Sequence, residues 1–91
     1  MGKSKRALFD VLSSILEVAD KKGGVNKTAI VYNANLNFLR AEEHIRLLVN
    51  HGLLSTLQDG TKYCTTEKGR EFLQQYRSLL RLIRQNNGLK D

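Results

Sequence analysis

The dipeptide Asp59-Gly60 sits between two short runs rich in β-formers, Leu53 to Gln58 and Thr61 to Thr65. Two such residues between strand-like runs are the pattern of a type I′ hairpin, whose central positions both need a positive φ. That turn sets the register. Gln58 faces Thr61, Thr56 faces Tyr63 and Leu54 faces Thr65. Leu54, Thr56, Tyr63 and Thr65 then share one face, which we assign to the core. A lone hairpin is marginal in water. The rest of the chain must therefore supply helices to cover it.

The sequence before the hairpin does so. Ala7, Leu8, Val11, Leu12, Ile15, Leu16 and Ala19 form one wide helical face, which predicts a helix from about Ser4 to Lys22. Lys21-Lys22 suit its C-terminus, and Gly23-Gly24 stop it. Asn26 can cap a short helix from Lys27 to about Ala34, with Ile30 and Ala34 inward. Asn35 tolerates left-handed geometry. Asn37 can cap a helix from Phe38 to His51, with Phe38, Ala41, Ile45, Leu48 and Val49 inward and Gly52 closing it. Two helices joined through Asn35 to Asn37 have helix-turn-helix spacing. After the hairpin, Thr66 caps a helix from Glu67 to about Asn86, ended by Asn87-Gly88. The order reads as a mainly α fold with a small β-hairpin wing. It is a winged helix-turn-helix over residues 1–66, with a C-terminal helix over 67–91 that packs on the domain and mediates dimerisation.

Composition narrows what such a fold can do. Ninety-one residues make one domain with a thin core, which argues against a large active-site cavity. Fifteen Lys and Arg against nine Asp and Glu give +6, the balance of a protein with a polyanionic partner, nucleic acid or an anionic membrane surface. A single cysteine, Cys64, rules out an intrachain disulfide and fits a reducing cytoplasm. No apolar run approaches the roughly 18 residues of a membrane span, and the N-terminus lacks a signal-peptide core. Lys3, Lys5 and Arg6 form a basic arm that is either a solvated terminus or a phosphate contact.

Three stretches together resemble a known family. Lys27-Thr28-Ala29-Ile30-Val31-Tyr32-Asn33-Ala34-Asn35-Leu36-Asn37 follows a K-T-x-I-x-Y-x-A-N-L-[SN] pattern. Ile45-x-x-Leu48 precedes Gly52-Leu53-Leu54, and Tyr63-x-x-Thr66-Glu67-Lys68-Gly69 comes after. The chain resembles the small archaeal winged-helix DNA-binding proteins, which include ten-kilodalton chromatin proteins and predicted transcriptional regulators. The resemblance covers roughly Ala7 to Leu82, with Tyr-x-Ala-Asn-Leu its distinctive part. It implies a cytoplasmic, nucleoid-associated homodimer held by the C-terminal helix, with DNA bound by the helix-turn-helix and wing. Two departures stand out. The family often has a larger aliphatic where Thr65 stands, which predicts looser packing under the wing. The chromatin-type members carry a longer C-terminal helix, so any coiled coil here is short.

The residues that could meet double-stranded DNA lie on this frame. Arg40 is near the end of the recognition helix that enters a major groove, where an arginine grips guanine or phosphate. One of Glu42 and Glu43 can accept from a cytosine amino group; alternatively at least one faces solvent or pairs with Arg46. His44 and Arg46 share that helix, and each is either a contact or a solvated side chain. Lys27 and Thr28 begin the supporting helix, which crosses the backbone in this fold. Tyr32 reads as a packing residue with its hydroxyl at the rim. Asn37 can donate to a phosphate, although capping already accounts for it. Lys62 follows the wing turn and is placed at the tip.

In the last helix Phe72, Tyr76, Leu79 and Ile83 are spaced 4, 3, 4, an a/d seam widened by Leu73 and Leu80. Leu79, Leu80, Leu82 and Ile83 have no evident core to cover, and self-association would hide them. Arg70, Arg77, Arg81 and Arg84 form a basic stripe beside the seam, a solvated face or an extension of the basic footprint. Nothing points to catalysis, a cofactor, a metal or a small-molecule substrate. There is no glycine-rich phosphate loop, and His44 and His51, seven apart, are poorly spaced for a metal. Cys64 reads as a packing or bystander thiol rather than a nucleophile. A protein-docking winged helix remains a second reading, since Glu42, Glu43, Leu39 and Leu47 suit a protein partner. A binder of double-stranded RNA or tRNA, using the same basic faces, is the third.

Overall fold

A computed structural model describes residues 5–86. Its elements are α1 (Lys5–Ala19), α2 (Lys27–Asn33), α3 (Phe38–Asn50), β1 (Leu54–Leu57), β2 (Lys62–Thr65) and α4 (Glu67–Asn86). The basic arm and the expected Asn87-Gly88 stop lie outside the described residues, apart from the backbone of Lys5 and Arg6.

The helix ends follow from their capping residues. Asn26 Oδ1 accepts from the Ala29 N–H and Asn37 Oδ1 from the Arg40 N–H, both at 2.8 Å. Asn35 takes φ 59°, and beyond it the Leu36 N–H bonds back to the Val31 carbonyl at 3.0 Å. Gly52 does the same for α3 at φ 79°, with the Leu53 N–H on the Leu48 carbonyl at 2.8 Å. Both are Schellman ends, which satisfy carbonyls the helix leaves open.

α1 stops at Ala19, three residues short of the expected end, so Lys21 and Lys22 lie in the following turn. The cause is tertiary. Val25 exchanges both backbone hydrogen bonds with Tyr63, at 2.9 and 2.7 Å, and adds a one-residue third strand to the wing. The chain must turn sharply after α1 to reach it, through Gly23 at φ 85° and Gly24 at φ 76°. A Cβ at Gly24 would lie 2.8 Å from the Tyr63 carbonyl oxygen.

The hairpin has the expected register, Leu54 opposite Thr65 and Thr56 opposite Tyr63. The turn is wider than the two residues expected: Gln58 at φ 52° joins Asp59 at φ 56° and Gly60 at φ 82° in a left-handed run outside the strands, closed by the Gly60 N–H on the Leu57 carbonyl and the Thr61 N–H on the Gln58 carbonyl, both at 3.1 Å. The core face is shorter than expected. Leu54 and Thr65 are buried and Tyr63 is half-buried, but Thr56 is exposed because the hairpin runs past the edge of the core there.

The core joins Leu12, Ile15, Leu16 and Ala19 of α1, Ile30 of α2, Ala41, Ile45 and Leu48 of α3, Leu54 of β1 and Leu73 of α4. Phe38 is not among them; it is 53% exposed. It starts α3 and stands off the end of the Ala41–Ile45–Leu48 stripe. Tyr32 is also exposed rather than packed. It follows buried Ile30 by two residues, about 200° around the helix.

Under the wing the packing is tight, contrary to the looseness expected from a threonine. Thr65 is 3% exposed, and its hydroxyl donates to the Leu16 carbonyl at 2.7 Å. Thr66 Oγ1 donates to the Gly52 carbonyl at 2.7 Å and accepts from the Gly69 N–H at 3.0 Å, which joins the end of α3 to the start of α4. Phe72 meets Phe9 edge-on at 6.1 Å and stacks with Tyr76 at 6.3 Å. Further along α4 the core runs out, and Leu79, Leu82 and Ile83 are exposed.

A methyl at Gly69 would run into the Leu53 carbonyl oxygen and lie 2.7 Å from Thr65 Cγ2. Alanine gains about 1 kcal/mol in helix propensity over glycine. Overpacking against a backbone atom costs about 3 kcal/mol, the upper end of the usual range. Gly69→Ala should therefore lose on the order of 2 kcal/mol in urea unfolding. A variant as stable as wild type would show that α4 can back away from Leu53.

Candidate nucleic-acid interface

With Ala41, Ile45 and Leu48 buried, α3 turns Leu39, Arg40, Glu43, Arg46, Leu47 and Asn50 to solvent. Beside it a shallow cleft of about 210 Å³ lies between α3 and the wing, walled by Lys27, Glu42, Arg46, Val49, Thr56 and Tyr63. Thr56 and Tyr63 reach it because they share the hairpin face that begins in the core with Leu54 and Thr65.

Charges on this surface are sorted by one contact between helices. Lys27 Nζ donates to Glu42 Oε2 at 3.1 Å, with Lys27 about a third exposed and Glu42 half exposed. The pair is worth little in stability, at most about 1 kcal/mol at such a wet site. Its effect is on the field. It cancels one member of α3's acidic pair, Glu42, against the first cation of α2. Glu42 is thereby paired with Lys27 and not with Arg46. Among the described residues Arg40, Arg46 and Lys62 have no acidic partner.

The sequence-derived site residues fall into three groups. Lys27 and Arg46 converge on the cleft, with Thr28 exposed in the first turn of α2. Arg40, Glu43 and half-buried His44 lie along α3. Asn37 has its carbonyl oxygen committed to the cap, leaving only its amide N–H groups to donate. Lys62 is the outlier. It is half-buried and starts β2 opposite Leu57, at the root of the turn, while the tip is Gln58 to Thr61. Side chains alternate along a strand, so Lys62 is on the hairpin face opposite Tyr63 and away from the cleft.

Sequence reasoning missed Thr56 and Tyr63 as cleft residues, since only the reach of the hairpin past the core exposes them. On α4, Arg70 and Arg77 are not free cations. They pair with Asp20, just past the end of α1, at 3.2 Å and with Glu17 of α1 at 2.8 Å. Arg81 and Arg84 flank Leu80 further on. Among the described residues no three His, Cys, Asp or Glu side chains gather as metal ligands, and no helix is long and apolar enough to cross a membrane. Cys64 is half-buried in β2.

Solved structures share this arrangement. Sso10a-2, a DNA-binding protein from Sulfolobus solfataricus, superposes with a TM-score of 0.70 at 26% identity, over 86% of this chain and 81% of that one. The multiple antibiotic-resistance repressor MarR from Listeria monocytogenes has the same fold, with a TM-score of 0.63 at 11% identity, over 92% of this chain and 72% of that one. Among proteins of curated function none matches the sequence. Residues 5–84, which hold α1 to α3, the tight turn between α2 and α3, the wing and all but the last two residues of α4, match the family model for the winged helix-turn-helix, and the chain belongs to that family.

Proposed function

We propose that this protein binds double-stranded DNA as a homodimeric transcriptional regulator or chromatin-type protein and performs no reaction. The observation that carries the reading is a helix-turn-helix whose second helix keeps one whole side free of the core, on a chain with net charge +6. The likeness to an archaeal DNA-binding protein supports it. In this mechanism α3 enters the major groove and α2 crosses the backbone. Arg40, Arg46, Thr28 and the Asn37 amide meet phosphates or base edges, with His44 at the margin. Lys62 meets the backbone from the far side of the wing. Lys27 serves a phosphate by exchanging its Glu42 partner for one. Affinity comes from counterion release. The exposed Leu39 and Leu47 favour a protein-docking surface as the second reading.

Self-association rests on α4. Phe72 and Tyr76 already engage Phe9 or each other within the chain, so the open part of the seam is Leu79, Leu82 and Ile83 with half-buried Leu80. Burying these against a second copy hides them and presents two recognition helices to two half-sites.

Three measurements test the proposal. Neutralising about five phosphates gives a log–log salt slope of about −4 to −5 in duplex binding. Affinity that is flat in salt, or absent at low salt, favours the protein partner; preference for an RNA duplex run alongside favours RNA. Arg40→Ala should weaken binding by about 1–3 kcal/mol and relax sequence preference if it reads a guanine. Lys62→Ala should weaken all sequences alike and flatten the slope by about one. Wild-type affinity in both variants places the DNA on another surface. Leu79→Glu with Ile83→Glu should yield a monomer with much weaker DNA binding, since burying two carboxylates in the seam costs several kcal/mol. Sedimentation of a wild-type monomer at tens of micromolar, or of a dimeric double variant, would rule out this interface.

A further inference from the structure

Leu39, Glu43, Arg46 and Asn50 follow one another along α3 by four, three and four residues. At about 100° per residue they form a single line along the helix, opposite the buried Ala41, Ile45 and Leu48. All four are exposed, Leu39 by 70%. This line leads when the helix docks.

Its composition is not that of a phosphate grip. A leucine, a carboxylate, a guanidinium and an amide sum to no net charge, on a chain that carries +6 elsewhere. Arg46 is the one cation on the line, balanced in sign by Glu43; beside the line stand Arg40 on one flank of α3 and, on the other, Lys27 of α2 in its pair with Glu42. In a major groove the phosphates run along the two edges, and the floor presents base edges. Arg40 at one side, Lys27 able to leave Glu42 at the other and a line of no net charge between them match that layout. The carboxylate narrows the choice further. A phosphate repels Glu43, and only the floor offers it donors, the amino groups of cytosine and adenine. Leu39, one turn earlier on the same line, has nothing to gain from a phosphate or a water-filled edge. The floor offers it one apolar group, the 5-methyl of thymine.

We infer that Leu39 is a specificity-determining residue that reads a thymine methyl in the major groove, which makes binding sequence-selective. The inference rests on the DNA-binding reading above and adds to it the kind of site recognised.

The test starts with full-length protein and a pool of random duplexes, and selects for bound sequences. The selected site should contain a thymine that, changed to uracil, lowers wild-type affinity about fourfold, the value of one buried methyl. Leu39→Ala should bind the thymine and uracil duplexes equally. The exposure of Leu39 predicts an unchanged melting temperature for that variant, and the uracil comparison on wild type stands without it. Indifference of wild type to uracil at every thymine of the site overturns the inference. So does a Leu39→Ala variant that keeps the full uracil penalty. A pool bound at low salt that yields no preferred sequence overturns it too, while the DNA-binding reading survives. Failure to bind any duplex at low salt removes both.

Discussion

The Thr65 hydroxyl reaches from the second wing strand to the Leu16 carbonyl inside α1, 2.7 Å away and shielded from water. Three elements depend on that meeting point. β2 is held against α1 there, and Gly69 lets α4 start its climb in contact with both Thr65 and the Leu53 carbonyl. A buried hydroxyl must be bonded, and a bonded one specifies a single seating. A larger aliphatic would fill the space without naming the partner. With α1, β2 and α4 fixed together, the hairpin can project past the core. Its outer half then forms one wall of the cleft beside α3.

The surface carries its charge economically. Six formal positive charges is the net for the whole chain, but several cations are spoken for at the site of interest and on α4. Lys27 holds Glu42, Arg77 holds Glu17 and Arg70 holds Asp20. Exposed pairs of this kind add little stability. They shape the field instead, and leave Arg40 and Arg46 as the cations of α3 without an acidic partner among the described residues.

Local signals in the chain were legible because their chemistry is local. Asn26 and Asn37 cap helices through their own side chains, Asn35 and Gly52 adopt the left-handed ends they suit, and Asp59-Gly60 sets the register of the hairpin. Each needs only neighbours a few residues away. Periodicity likewise identified Ala41, Ile45 and Leu48 as the inner face of α3. It failed for Phe38, because a helical stripe does not say where the opposing core ends. Tyr32 failed for a related reason: α2 is seven residues long and buries Ile30 alone.

By itself, then, the sequence determined the order of elements, their caps, the hairpin register and a basic balance, all of which arise from short-range backbone geometry or simple counting. Tertiary structure decided the rest. The Val25–Tyr63 bridge spans 38 residues and ends α1 early. The Lys27–Glu42 pair spans 15 and decides which acid on α3 is neutralised. Lys62 was turned to the far side of the wing by the placement of Tyr63. Such contacts join residues that no local pattern links, and their geometry exists only once the helices have closed around the core.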